Sequence, residues 1–546
     1  MPNFSRLIRT LATSLVVVVA SNASGLGAET EQATAREAIG TVDFGVSCDS
    51  AVRDDFDHAV GLLHHMMYVE ARAAFERIAA QDQDCAMAHW GMAMTLFQPL
   101  WPTRPSPEDL EQGRHAIERA RELGPATDRD KALVAATAAF FEEPEAGWWT
   151  RIERWADAME DAYRAHSDDL ETGAFYALSV VAQGQSAEDR IAYNAKAAKV
   201  LLEIYEQVPT HPGAIHYTIH ANDIEGRAKE SLDVVRSYGS IAPNVPHALH
   251  MPTHIFVRLG EWPEVIEWNR KSADAALAHP AGEAVSHHYP HATDYLLYAY
   301  LQRGEDGKAS AVLDETLGKA PFQKSFISAF HLAAMPARYA VERRAWRDAA
   351  SLEPRRPASL PWDQYPWAEG LSWFTRGLGS AHVGELEEAH LAEERLEALR
   401  DRAEAAGERD LARYIEINRL VLAGQIAHAE GRSEDAVDRL RAAAELEAKI
   451  EKHPVTPGAL LPPNEALGDL LLELDRPVEA RRAYEASLKA WPGRYNTLLG
   501  AGRAAEATGD HTAARVYYTK LLEVAAPGAS RPGMTRAKAY VEGGEE

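Results

Sequence analysis

Residues Gly468–Ala526 read GDLLLELDRPVEARRAYEASLKAWPGRYNTLLGAGRAAEATGDHTAARVYYTKLLEVAA. A spacing of 34 residues runs through them: Gly468 with Gly502, Ala480 with Ala514, Tyr484 with Tyr518. Pro492 follows Ala480 by twelve residues and closes the first unit. Small residues at fixed positions let two antiparallel helices approach closely, and the tyrosines fill the groove left beside them. A unit of this size cannot bury its apolar face alone, so such units stack. Gly424, Gly431 and Ala436 open an earlier one.

A small residue at repeat position 8, alanine at 20, an aromatic at 24 and proline at 32 match the tetratricopeptide (TPR) pattern. Upstream the pattern is degenerate but recurs. Ala71 and Phe75 fit positions 20 and 24, Gly260 and Val265 fit 15 and 20, Gly304 and Ala309 repeat that spacing, and RAWRDAA places Ala349 at 20. No convincing strand alternation interrupts the helical periodicity. The expected fold is all-α, a TPR-like α-solenoid: a right-handed superhelix of about ten to thirteen antiparallel helix pairs. Three Pro-punctuated loops break it, at 101–107, 353–367 and 453–463. The second is the expected boundary between a degenerate N-terminal solenoid, residues 29–352, and a C-terminal one, residues 368–546. Trp362, Tyr365 and Trp367 make that loop a segment that packs back on the helices.

The chain has 546 residues, 46 % apolar and 25 % charged, an ordinary globular composition. Its 57 basic residues face 82 acidic ones, and a net charge of −25 argues against a nucleic-acid partner. Arg6 and Arg9 precede the apolar run Leu11–Ala20, and small residues follow it. Residues 1–28 therefore read as a secretory signal peptide, too short to span a bilayer. No later run reaches membrane length. The expectation is an exported, soluble protein of the periplasm or the extracellular space, with no integral membrane span. The two cysteines, Cys48 and Cys85, are expected to pair in that oxidising setting, the alternative being two unlinked buried thiols.

Ten of the 22 histidines lie between His211 and His291, where an even spread would place about three. Their spacing follows helical faces. His216 and His220 stand at i, i+4; His247, His250 and His254 at i, i+3, i+7; His288, His291, Asp294 and Tyr298 at i, i+3, i+6, i+10. In the repeat frame, positions 2, 5, 9, 12 and 13 of each first helix line the concave surface. Anchoring on Val265 puts His247, His250, His254 and Arg258 there. Ala309 does so for His291, Asp294 and Tyr298, Ala349 for His331 and Arg338, and Ala71 for His64. Ala228 as position 20 puts His220 at 12 and His216 at 8, a packing position.

Neutral imidazole is the commonest metal ligand, and a set rich in it suits zinc, copper or iron better than calcium or magnesium. The metal candidates are His64, His216, His220, His250, His254, His291 and Asp294, with a two-histidine, one-carboxylate set drawn from His250, His254 and Asp294. Arg258, Tyr298, His331 and Arg338 are the candidates for holding a ligand or substrate, the arginines by its anionic group. His216 reads equally as a core histidine. His247 opens its helix after the Pro243–Pro246 turn, His211, His279 and His287 read as loop residues, and Asp223 as a cap or a carboxylate behind a ligand. No HExxH, GxSxG or phosphate-loop motif is present.

At HMPTHIFVRLGEW (His250–Trp262), with HPGAIHYTIH before it and DCAMAHWGMAM near the N-terminus, the chain resembles secreted bacterial TPR-repeat proteins without an established activity. The resemblance implies a helical TPR solenoid and export. Two functions follow from the residues. One is a binding scaffold whose concave groove takes a peptide or protein partner, or a small anionic ligand, through its His/Arg cluster. The other is a transition-metal-dependent enzyme, a hydrolase or oxidoreductase. A third use of the cluster is a pH-responsive interface.

Overall fold

One turn recurs along the chain. At Met66, Gly260, Gly304, Arg344, Gly384, Gly407, Gly431, Asp475 and Gly509 the backbone takes a positive φ. Five residues later stands a buried small or β-branched side chain: Ala71, Val265, Ala309, Ala349, Ala389, Ala412, Ala436, Ala480 and Ala514. The left-handed residue ends one helix and reverses the chain. The residue five positions on then packs into the helix just completed. Gly260 illustrates the first half: it has φ +72° and caps the helix Pro252–Leu259, its N–H bonded to the Val257 carbonyl.

The computed structural model describes residues 38–143 and 145–543. The expected export segment, residues 1–28, lies outside the described residues. From Ala38 the chain forms one unit, all-helical in architecture. No strand occurs among the described residues, where only two isolated bridges join Ala281 to Ala284 and Val285 to Phe322. Successive helices pack on one another along the chain, and turns this short make neighbours antiparallel. One apolar core runs from Ile39 to Ala504, with a smaller cluster around Tyr518 at the C-terminal end. No described helix is long and apolar enough to cross a membrane.

The repeat frame fails at Ala228. There the positive φ sits at Gly226, two residues before the alanine, and Ala228–Ser231 is a 3-10 turn leading into the helix Leu232–Ile241. The helix before it, Pro212–Asn222, is nonetheless buried along its whole length.

Prolines start the helices that carry the histidines. Pro212 opens Pro212–Asn222, Pro246 opens Pro246–His250, Pro252 opens Pro252–Leu259, and Pro290 lies in the first turn of His288–Gln302. Proline tolerates the first turn because that N–H has no intrahelical acceptor. Pro252 cannot donate to the Ala248 carbonyl, so the hydrogen-bond ladder breaks at Met251, between His250 and His254, although Met251 keeps helical torsions.

The three loops pack inward. Trp101 is buried against histidine rings. In the second loop Trp362 bonds the Pro357 carbonyl, and Trp367, at its end, stacks on Tyr414 with centroids 4.7 Å apart. The third runs beside the histidine helices: Tyr295 Oη donates to the Pro454 carbonyl at 2.6 Å and Arg338 Nη1 to the Gly458 carbonyl at 3.0 Å. Cys48 and Cys85 form a disulfide with Cα atoms 4.9 Å apart, and Cys85 caps the helix Ala86–Met94.

Candidate metal centre

Two trios of buried histidines lie side by side in this core. In each, the candidate ligand nitrogens fall within 4.8 Å of one another. The first trio is His250, His254 and His291; the second is His216, His220 and His247.

Hydrogen bonds fix the tautomers of the first trio. Asn269 Nδ2 donates to the Val265 carbonyl at 2.8 Å, which turns Asn269 Oδ1 toward His250 Nδ1 at 2.7 Å. The proton of His250 is therefore on Nδ1. His254 Nδ1 donates to Asp223 Oδ2 at 3.0 Å. Both Nε2 atoms are left as bare lone pairs, and they face each other 3.0 Å apart. Only a cation between them, a proton or a metal ion, turns that contact from repulsion into attraction. Burial and then the His254 ring push His250 well below the ordinary histidine range, which disfavours the proton.

His291 is set by a relay. His331 Nδ1 donates to Asp294 Oδ2 at 3.0 Å, so His331 Nε2 accepts from His291 Nδ1 at 2.6 Å, and the lone pair of His291 is on Nε2. Each imidazole of this trio thus has its Nδ1 anchored, by Asn269, Asp223 or His331. Metal-binding histidines are commonly oriented in this way.

Unmet bonding marks the second trio. His216 Nδ1 donates to the His64 carbonyl at 2.6 Å. His216 Nε2, His220 Nε2 and both nitrogens of His247 are buried with no hydrogen-bond partner. A buried polar atom left so costs about 1–3 kcal/mol. Burial holds all three rings far below their ordinary range, His220 at about 3, so all are neutral and able to coordinate. The trios adjoin: ring centroids stand 5.9 Å apart for His220 and His254 and 6.1 Å for His247 and His250.

No family model matches the chain, and no curated protein matches it in sequence. Among solved structures it is similar to the human IFIT1 dimer with m7Gppp-AAAA, at 12 % identity and a TM-score of 0.36, over 81 % of this chain and 90 % of that one. It is also similar to the APC/C hetero-tetramer Cut9-Hcn1, at 13 % identity and a TM-score of 0.26, over 91 % and 96 %. Likeness at this level assigns no function.

Five of the expected metal residues, His216, His220, His250, His254 and His291, come together in the two trios. Asp294 and His64 do not join them; His64 stands in a separate buried group with Glu171 and His211, whose candidate ligand atoms also lie within 4.8 Å of one another. Asp294 accepts from His331 and from Arg338 Nε at 3.0 Å, so the expected two-histidine, one-carboxylate set is replaced by three imidazoles. His64 has both nitrogens engaged: Nδ1 meets Tyr217 Oη at 3.0 Å and Nε2 meets Glu171 Oε2 at 2.7 Å. His211 Nε2 lies 3.2 Å from the other Glu171 oxygen. Burial alone would raise the Glu171 carboxyl, but His211 and His64 hold it below the usual carboxylate range.

The expected ligand-holding groups point inward. Arg258 binds Asp223 Oδ1 at 2.9 Å and Glu451 Oε2 at 3.1 Å. Tyr298 Oη accepts from Arg494 Nη1 at 3.0 Å, and the Arg338 guanidinium lies 4.9 Å over its ring. These side chains, with His331, are thus engaged by groups of the protein itself. Sequence spacing missed His247 as a trio member, and His287 and His211, read as loop residues, are buried. Asp223 is the hub behind His254, also 3.2 Å from Lys452 Nζ. No local signal marks that contact, since Lys452 lies 229 residues further on.

Proposed function

We propose that the protein is an exported helical scaffold that binds a transition metal ion, zinc, copper or iron, through His250, His254 and His291. One observation carries the reading: two lone pairs, each fixed by a hydrogen bond on the far side of its ring, face each other at 3.0 Å in a buried interior. An all-imidazole set suits these metals. Three protein ligands leave a coordination position for an exogenous molecule, as in catalytic rather than structural zinc sites. The Cys48–Cys85 bridge and the apolar leader sequence support export.

A partner-binding groove has separate support. A cavity of about 620 Å³, apart from the two histidine trios, is lined by Arg343, Arg344, Arg503, Asp469, Glu473 and His428 among others, and its mixed charge suits a peptide.

Elemental analysis of the natively purified protein tests the metal reading. The expected result is stoichiometric metal that disappears in the His250→Ala/His254→Ala double variant. Protein that is isolated metal-free and takes up neither zinc, copper nor iron overturns it.

A further inference from the structure

We propose that the trio His216, His220 and His247 is a second ion site, and that the two trios together hold a pair of copper(I) ions. The proposal rests on the metal reading of the first trio and goes beyond it in the number and charge of the ions.

The second site stands on its own geometry. Its ligand nitrogens lie within 4.8 Å of one another. Three nitrogens around one ion at about 2.0 Å are themselves roughly 3.3–3.5 Å apart, so modest side-chain movement closes the set. Four nitrogens of these rings are buried without a partner. His216 is pre-oriented by the His64 carbonyl. His247 makes no hydrogen bond at either nitrogen although it is almost wholly buried and begins a helix, where an apolar residue would pack at lower cost.

The charge follows from a count of the groups around the pair. Three carboxylates stand behind the first trio: Asp223, Asp294 and Glu451. Arg258 and Lys452 contact Asp223, Arg258 also contacts Glu451, and Arg338 contacts Asp294. The three carboxylates are matched by three cations, and the six ligands are neutral. Among the described residues no unmatched carboxylate contacts these groups, and Glu171, on the far side of His64 from the second trio, is engaged by His64 and His211. Two divalent ions would bring four positive charges into this interior, and two copper(I) ions bring two. Burying uncompensated charge is expensive and grows steeply with its size. Three-coordinate neutral imidazole sites therefore favour the monovalent ion, and copper is the metal that offers it with imidazole affinity.

The test is anaerobic titration of the metal-free full-length protein with copper(I) against a chromophoric copper(I) chelator, with zinc(II) run in parallel. Wild type should withdraw two copper(I) ions per chain, His247→Leu one, and zinc should bind to at most one site. His247→Leu removes no hydrogen bond, so its circular dichroism and melting should match wild type, and copper K-edge absorption should show an imidazole shell in both proteins. One copper(I) in both proteins overturns the second site and leaves the first. Two in His247→Leu shows that the second ion sits elsewhere. Two zinc ions held as tightly as two copper ions overturn the charge argument. No metal at all removes this proposal together with the reading beneath it.

Discussion

At the residue scale the decisive group is Asn269, which touches no ligand position. Its amide is clamped by the Val265 carbonyl and therefore dictates which nitrogen of His250 is bare. Asn269→Leu should free the His250 ring and weaken metal binding about 10–100-fold while the helical circular dichroism stays unchanged. Competition against a chelator of known affinity measures it, and undiminished affinity would detach Asn269 from the site. Much of the first trio is legible as spacing. His250 and His254 stand four apart on one face, and His291 is the second residue of the next helical stripe. The anchors behind them are not legible. Asn269 sits on the following helix, and Lys452 and Glu451 arrive from a loop about two hundred residues away. His247 was readable as a position but not as a ligand, because the turn before Pro246 explains a polar residue there equally well. Asp294 shows the opposite failure: its stripe is real, but Arg338 and His331 occupy it.

At the element scale the unit that repeats is the left-handed turn with a buried small residue five positions later. The buried alanine was legible even behind Met66, Arg344 and Asp475, at Ala71, Ala349 and Ala480, but the left-handed turn itself was not, because residues that rarely adopt positive φ fill it there; the glycine turns at Gly384 and Gly407 were not read as repeat boundaries. Between Asn222 and Leu232 the turn is built differently, which is why a frame anchored on Ala228 carries no structural register. The turn at Gly260 also supports the site, since it ends the helix that carries His254 and Arg258. A Cβ there would stand 3.2 Å from the Pro492 carbonyl oxygen, on a backbone at φ +72°. Gly260→Ala should therefore cost about 1–2 kcal/mol through left-handed strain and this contact. Urea unfolding checks the value, and an unchanged midpoint would show that the C-terminal repeats yield freely at Pro492.

At the scale of the whole molecule, the cluster lies within one continuous helical core, and folding keeps its imidazoles neutral. Burial, followed by their mutual repulsion, places His216, His247 and His291 well below the ordinary histidine value. For His250 burial comes first, then repulsion from His254; His220 falls to about 3. In the unfolded chain the same groups titrate near 6.5. As the pH drops through that value the unfolded state takes up protons that the folded state refuses, so stability falls toward acid. Glu171 and Asp223 act lower down. Burial opposes their charge, but His211 and His64 beside Glu171, and Lys452 and Arg258 beside Asp223, hold both below the usual carboxylate range. Their contribution is therefore intact until the pH nears about 4 and fades below it. Between pH 7 and 5 the histidines dominate, each adding up to about 1.4 kcal/mol per pH unit. Metal-free protein should lose several kcal/mol across that window, read as a falling urea midpoint at constant slope. Loaded protein should start higher and fall with the same slope, because the folded rings stay neutral across that window and no proton competes there for the ion. A midpoint that is flat from pH 7 to 5 would mean that the rings are hydrated or already charged, and an ion held by buried neutral imidazoles would lose its basis.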